Sequence, residues 1–266
     1  MSKIDTYKNL LDNYTSEQDL QSFLEANTEF IPREFVQNHG IHNRLVFRKL
    51  RLAENYTTDF FYLAKSSGDW NCVLIELEKP KSKFFRDGTN DLHPDFLAGL
   101  DQIDRWRAWF NSSNNKDYFT NRTLSFIRQP LFQNPCYIKY VLVTGRREEY
   151  QSSELRNSLI QAKERDDFKI ISFDSLFEAC EQHSELYLCV KKNEYFEIHT
   201  ESLISKNVFD WTAAEHIRVK QKLKDELIKT TETFISGAES SGDIFQKVPA
   251  ALKKTAIEKW KLIETI

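Results

Sequence analysis

Apolar residues follow two rhythms along this chain, and the change between them sketches its elements. Ile4, Tyr7, Leu10, Leu11 and Tyr14 recur at helical spacing. Thr15 or Ser16 is a good N-cap for a second helix, with Gln18 or Asp19 at the capping-box distance and Leu20, Phe23 and Leu24 as the buried stripe. Pro32 closes that stretch. Three short β-branched and aromatic runs come next: Val46–Leu50, Thr57–Leu63 and Val73–Leu77. The last two flank a polar turn at Gly68 and predict adjacent antiparallel strands. Val73-Leu74-Ile75 has no alternation, the pattern of a strand buried on both faces. After a charged loop from Lys81 to His93, Pro94 opens a helix that runs to Phe110. The polar stretch Asn111–Asn121 predicts a loop. Strands are predicted at Tyr137–Val143 and Phe168–Asp174, separated by a helix over 150–165, and a short helix begins at Ser175. Leu186–Val190 and Glu194–Ile198 predict a hairpin.

The pattern changes after about residue 203. Asp210–Lys229 is charged and helix-favouring, Gly237 and Ser240-Ser241-Gly242 mark a break, and Ile244–Ile266 is helical again. This predicts an α/β domain over residues 1–203 and a helical C-terminal extension over 204–266, without a sheet of its own, that packs on the domain or on a second subunit.

The candidate chemistry lies where the two central strands meet. Asp59 precedes Glu76 by one hairpin length, and Glu76 and Glu78 are two residues apart, hence on one face of their strand. A lone Glu-x-Glu is ordinarily a solvated strand end. Here the pair follows an unbroken apolar run, and carboxylates in such a place are costly unless water, a metal or a cation neutralises them. Three carboxylates gathered across a hairpin suit a hard divalent cation. Gln102 sits one turn before Trp106 and borders the apolar face of its helix, either bonded to backbone or facing the carboxylates. Glu17 and Gln21 share a face of the second helix and are more simply read as solvated, though they are positioned to look toward the same site.

Composition narrows the possibilities. The 266 residues carry a formal net charge of −3, so a nucleic-acid partner would be held by local clusters: Lys79, Lys81, Lys83 and Arg86; Arg105 and Arg107; Arg146 and Arg147. Each cluster, taken singly, is more simply a solvated face. No apolar run reaches the roughly 20 residues of a membrane helix, and the start of the chain has no secretory pattern. The four widely spaced cysteines, Cys72, Cys136, Cys180 and Cys189, read as reduced core thiols of a cytoplasmic protein. Trp106, Trp109, Trp211 and the aromatic stretch Phe126–Phe132 either fill the protein's own core or mark a subunit interface.

The order helix, strand, Asp strand, Glu-x-Glu strand, helix with Gln, strand, helix, strand resembles the Shedu anti-phage nuclease family, a branch of the PD-(D/E)xK superfamily. The residues that carry it are Thr58-Asp59-Phe60, Ile75-Glu76-Leu77-Glu78-Lys79-Pro80, the helix around Glu17–Glu25, Gln102-Ile103-Asp104-Arg105-Trp106 and Ile171–Leu176, over roughly residues 15–185. The resemblance implies a restriction-endonuclease-like mixed β-sheet flanked by helices. It implies metal-dependent cleavage of DNA in phage defence, with Asp59, Glu76 and the Leu77 carbonyl on Mg²⁺ or Mn²⁺. Glu78 or Lys79 would act on the water, Gln102 would position water or phosphate, and Lys81, Lys83 and Arg105 would hold flanking phosphates. It also implies a homo-oligomer such as a tetramer. One residue departs from the pattern: Glu78 stands where the family has Lys. Three accounts follow: a Glu-x-Glu site that still cleaves, a lysine supplied by Lys79, Lys81 or Lys83, or a catalytically degenerate DNA-binding or scaffold subunit.

Overall fold

The computed structural model describes residues 1–52, 56–200, 204, 212–241 and 257–266, with the side chains of 234–241 excepted. The chain divides into two units: Met1–Thr123 with Gln133–Leu186, and Leu124–Phe132 with Tyr187–Ile266.

The first unit is a mixed α/β layer structure. Its strands are β1 (Leu45–Arg48), β2 (Phe60–Lys65), β3 (Trp70–Leu77), β4 (Cys136–Val143) and β5 (Phe168–Ile171), in the spatial order β5-β4-β3-β2-β1. β1, β2 and β3 form an antiparallel meander, while β4 and β5 run parallel to β3. The change of direction follows from the connections. A short turn around Gly68 joins β2 to β3, whereas α3 (Pro94–Phe110) and α5 (Glu154–Gln161) lie in the two crossovers that parallel strands need. β3 is central, and Cys72 to Ile75 are wholly buried, as the unbroken apolar run predicts.

Two helices lead into this sheet. α1 (Lys3–Asp12) is capped by Ser2, and α2 (Glu17–Ala26) by Ser16, whose hydroxyl accepts from the Asp19 N–H at 3.2 Å. Tyr7, Phe23 and Phe30 cluster with ring centroids 4.9–5.3 Å apart, and the Tyr7 hydroxyl donates to the Phe173 carbonyl. Phe173 opens α6 (Phe173–Ala179), which starts two residues earlier than the sequence predicts. Arg48, the last residue of β1, pairs with Glu25 of α2 at 2.5 Å. The Arg48–Glu25 pair ties the last turn of α2 to the end of β1.

α3 has the predicted limits. His93 caps it, Pro94 opens it, and Phe96, Ile103, Trp106 and Phe110 are buried. The predicted loop at Asn111–Asn121 is instead α4 (Ser113–Tyr118) running into a wide helical turn over Phe119–Thr123. Its polarity is that of an exposed helix with no buried residue, anchored just beyond by buried Phe119, which packs edge-on against Phe61 and Phe110.

The second unit contains the predicted hairpin, β6 (Tyr187–Lys191) with β7 (Phe196–Ile198). The C-terminal stretch is helical in α7 (Gln221–Ser241) but also supplies two strands that were not foreseen, β8 (Ile217–Val219) and β9 (Glu264–Thr265), in the order β6-β7-β8-β9. Ile217 and Val219 are buried on one face, and three residues are too few for a period to show. Phe126 is buried here, stacked on Phe196 and on His216. Trp106 is fully buried in the first unit. Both aromatics are therefore spent inside the protein, the plainer of the two expectations. Trp211 lies outside the described residues.

One glycine sets the loop that follows β3. Gly145, just past β4, has φ +56°, and an added Cβ would lie 2.7 Å from both the Ser82 carbonyl oxygen and the Phe84 ring. Left-handed backbone costs a residue with a Cβ roughly 1–2 kcal/mol before any clash. Gly145→Ala is therefore expected to lower the free energy of unfolding, measured by urea titration, by more than that conformational cost alone. A variant as stable as the wild type would show that the loop gives way freely.

Candidate active site

Strand register places the candidate residues. Arg48 is opposite Phe60, and the Lys49 N–H donates to the Asp59 carbonyl at 2.9 Å, which sets Lys49 across from Asp59. Phe60 is opposite Ile75, so the pairing continued one residue further brings Asp59 beside Glu76. Glu76 is opposite Leu142 of β4. Lys49, Asp59, Glu76 and Leu142 thus form one row across four strands, and cross-strand neighbours in such a row are within side-chain reach.

The row is locked from the backbone. Asp59 is buried, and its Oδ2 accepts from the Leu77 N–H at 2.7 Å. Its Oδ1 accepts from the Lys49 ammonium in a short ion pair. Lys49 has φ +47°, a conformation that non-glycine residues adopt at a cost and that recurs at functional sites. That left-handed residue comes immediately after β1 and turns its side chain to Asp59.

Charge is crowded here. Burial raises the Glu76 carboxyl well above the usual carboxylate range, and the charges of Asp59 and Glu78 raise it further against the pull of Lys49. Glu78 is also raised, by burial, Asp59 and Glu17, with Lys79 opposing. Burial works against a charged Lys49, but its hydrogen bond to Asp59 and the charges of Asp59, Glu17 and Glu76 outweigh that and hold its pKa above the ordinary lysine value. Glu17, in the first turn of α2, is exposed, as its plainer reading as a solvated residue predicts, and its charge adds to those that raise Glu76, Glu78 and Lys49. Gln21 is buried and donates to Glu25 at 2.9 Å.

α3 closes one side. Gly99 packs on the Leu142 side chain, and a Cβ there would lie 3.3 Å from Cγ of Glu78, so the helix comes down close on that glutamate. Gln102 is one turn further along α3 and half-buried, on the border the sequence predicts. Asp95, one turn before Gly99, adds its charge to those that raise Glu78.

The basic residues divide into three sets. Lys81 and Lys83 line a cleft of ≈ 620 Å³ with Arg86, Arg146 and Arg156, next to Pro80. Acids share the lining: Lys83 pairs with Asp87 at 2.6 Å, and Arg146 with Asp12 and Asp174. Lys81 donates to the Tyr14 carbonyl at 2.8 Å. Arg105 and Lys79 are exposed. Arg107 is bound to Asp104 and Asp167, and Arg147 to Glu178, so these two arginines brace the fold. Sequence reasoning missed Lys49. Its one signal was a lysine near the end of the strand before Asp59, which becomes meaningful only once antiparallel register is known.

Two hard carboxylates on neighbouring strands fit a divalent cation in donor type and in excess negative charge. Among the described residues no three of His, Cys, Asp and Glu are gathered closely enough to hold a metal by themselves. A Mg²⁺-like ion fits that arrangement, because it ordinarily keeps waters and takes one or two carboxylates plus substrate phosphate.

Comparison with known proteins identifies one relationship. The family model described as Shedu protein SduA, C-terminal, matches residues 14–177, more than half of the chain. No curated protein matches.

The raised Glu76 pKa has a consequence for the metal-free protein. Between the unfolded carboxyl value and the higher folded one, the folded state retains a proton that the unfolded state releases, so stability falls as pH rises through that window. Glu76→Gln removes this liability. In EDTA the variant is expected to be more stable than wild type at neutral pH, by on the order of 1 kcal/mol or more, with the difference vanishing below the unfolded carboxylate pKa. Thermal unfolding of both proteins from pH 4 upward measures this. A difference that grows toward acid would refute the reading.

Proposed function

The chain belongs to the Shedu family of anti-phage defence proteins, and we propose that within it this protein is a divalent-metal-dependent DNA endonuclease. The observation that carries the proposal is the Asp59–Glu76 cross-strand pair at the end of the buried central strand. Asp59, Glu76 and the Leu77 carbonyl would hold Mg²⁺ or Mn²⁺. When bound, such an ion lowers the pKa of a coordinated water and offsets charge on the transition state.

The chain's own residues do the rest. Glu78 takes a proton from the attacking water, a role suited to a carboxylate whose proton affinity is raised by burial and by the charges of Asp59 and Glu17. The water oxygen bonds to phosphorus, the bond from phosphorus to the leaving oxygen breaks, and that oxygen takes a proton from solvent. The Gln102 amide donates to the water or to a phosphate oxygen. Arg105, Lys79, Lys81 and Lys83 bind flanking phosphates, a task that positions DNA without reading its sequence.

No helix among the described residues is long and apolar enough to cross a membrane. Action in the cytoplasm and assembly into a homo-oligomer are part of the same proposal and rest on the family likeness. A second reading has one specific observation in its favour. Glu78 occupies the position of the motif lysine, as it would in a degenerate site that binds DNA, or serves as a scaffold, without cutting it.

Plasmid cleavage separates the two. Supercoiled and linear DNA are incubated at low salt with Mg²⁺, Mn²⁺ or EDTA. Wild type is expected to cut only with metal, and Asp59→Ala and Glu76→Ala to lose on the order of 10²–10³-fold in rate while remaining folded. Salt-sensitive DNA binding without cutting would establish the degenerate reading instead.

A further inference from the structure

A site with Glu17, Asp59, Glu76 and Glu78 around it repels the phosphate it is proposed to cut, and the lysine that the family pattern places on β3 is absent. Of the three lysines that follow Glu78, Lys81 is bonded to the Tyr14 carbonyl and Lys83 is paired with Asp87, whereas Lys49 is in a direct ion pair with Asp59 of the site.

We infer that Lys49, from the end of β1, is the ammonium with which this site meets the scissile phosphate. The inference rests on the nuclease reading above and goes beyond it by relocating the missing cation two strands away. Three independent features carry it. Register alone puts Lys49 in the row with Asp59 and Glu76. The backbone at Lys49 is left-handed, φ +47°, at a residue with no glycine-like freedom, and the Arg48–Glu25 pair clamps the residue before it. The side chain is 49% exposed where that of Asp59 is 8% exposed, so the ammonium lies on the solvent side of that buried carboxylate. An entering phosphate meets Lys49 before it meets Asp59.

The chemistry is electrostatic. Lys49 stays protonated, donates a hydrogen bond to a non-bridging phosphate oxygen, and moves no proton. It can do so without leaving Asp59, since an ammonium has three donors. A fixed donor aimed at developing charge is typically worth about 10²–10³ in rate.

The test compares wild type, Lys49→Met, Lys49→Arg and Glu76→Ala, each as the full chain. Titration calorimetry with Mn²⁺ in the absence of DNA reports on placement. Removing a positive charge beside Asp59 should tighten Mn²⁺ binding in Lys49→Met, by roughly tenfold. Unchanged Mn²⁺ affinity would overturn the inference. Cleavage at saturating Mn²⁺ reports on role. Lys49→Met should be about 10²-fold slower even though it binds metal better, and Lys49→Arg should recover part of the rate. A Lys49→Met protein that cuts within about threefold of wild type would reduce Lys49 to a structural counterion. In that case wild type still cuts and Glu76→Ala does not, so the nuclease reading survives alone. If wild type itself fails to cut, both fall together.

Discussion

A buried strand that ends in carboxylates must have its charge answered, and most of this structure is arranged around that requirement. β3 gives the sheet its most enclosed strand, and it leaves the apolar core at Glu76. A carboxylate there is tolerable only with a partner. The answer is local and incomplete. The Leu77 N–H and the Lys49 ammonium satisfy Asp59, while Glu76 and Glu78 are left with raised proton affinity. An apolar core of the same shape would be more stable. Retaining the acids makes sense as function: the remaining negative charge is what a divalent cation would neutralise.

The surrounding elements bear on that row. α2 adds the charge of Glu17 to it and is tied to β1 through Glu25 and Arg48. α3 can approach Glu78 because position 99 has no side chain. Gly145 lets the turn after β4 pass under the loop that carries Lys81 and Lys83. In each case a residue that looks ordinary in isolation sets the approach of an element to the carboxylates. Lys49 is the clearest instance, since its role depends on an unusual backbone angle and on strand pairing together.

Much of the first unit was legible in the sequence because its signals are long. The 17 residues of α3 carry a cap, an N-terminal proline and a full apolar face, and β3 carries an unbroken apolar run. The cross-strand placement of Asp59 beside Glu76 was legible for the same reason: a hairpin of known length converts sequence spacing into cross-strand distance. What stayed hidden depended on partners. β8 and β9 are three and two residues long, too short for a period, and exist by pairing. α4 has no buried residue, so no apolar stripe announces it. The aromatic excess was ambiguous because burial in the protein's own units and burial in an interface look alike along a chain; for Trp106 and Phe126 the protein's own units account for it. Lys49 was invisible because β1–β2 register cannot be counted from the sequence alone.

The central claim is that Asp59 and Glu76 together form a cation site. Crystals grown with Mn²⁺ and examined by anomalous diffraction test it most directly. The account predicts an anomalous peak in contact with both carboxylates and with the Leu77 carbonyl, absent from crystals of Glu76→Ala. Fully ordered Asp59 and Glu76 side chains with no peak between them at saturating Mn²⁺ would contradict it.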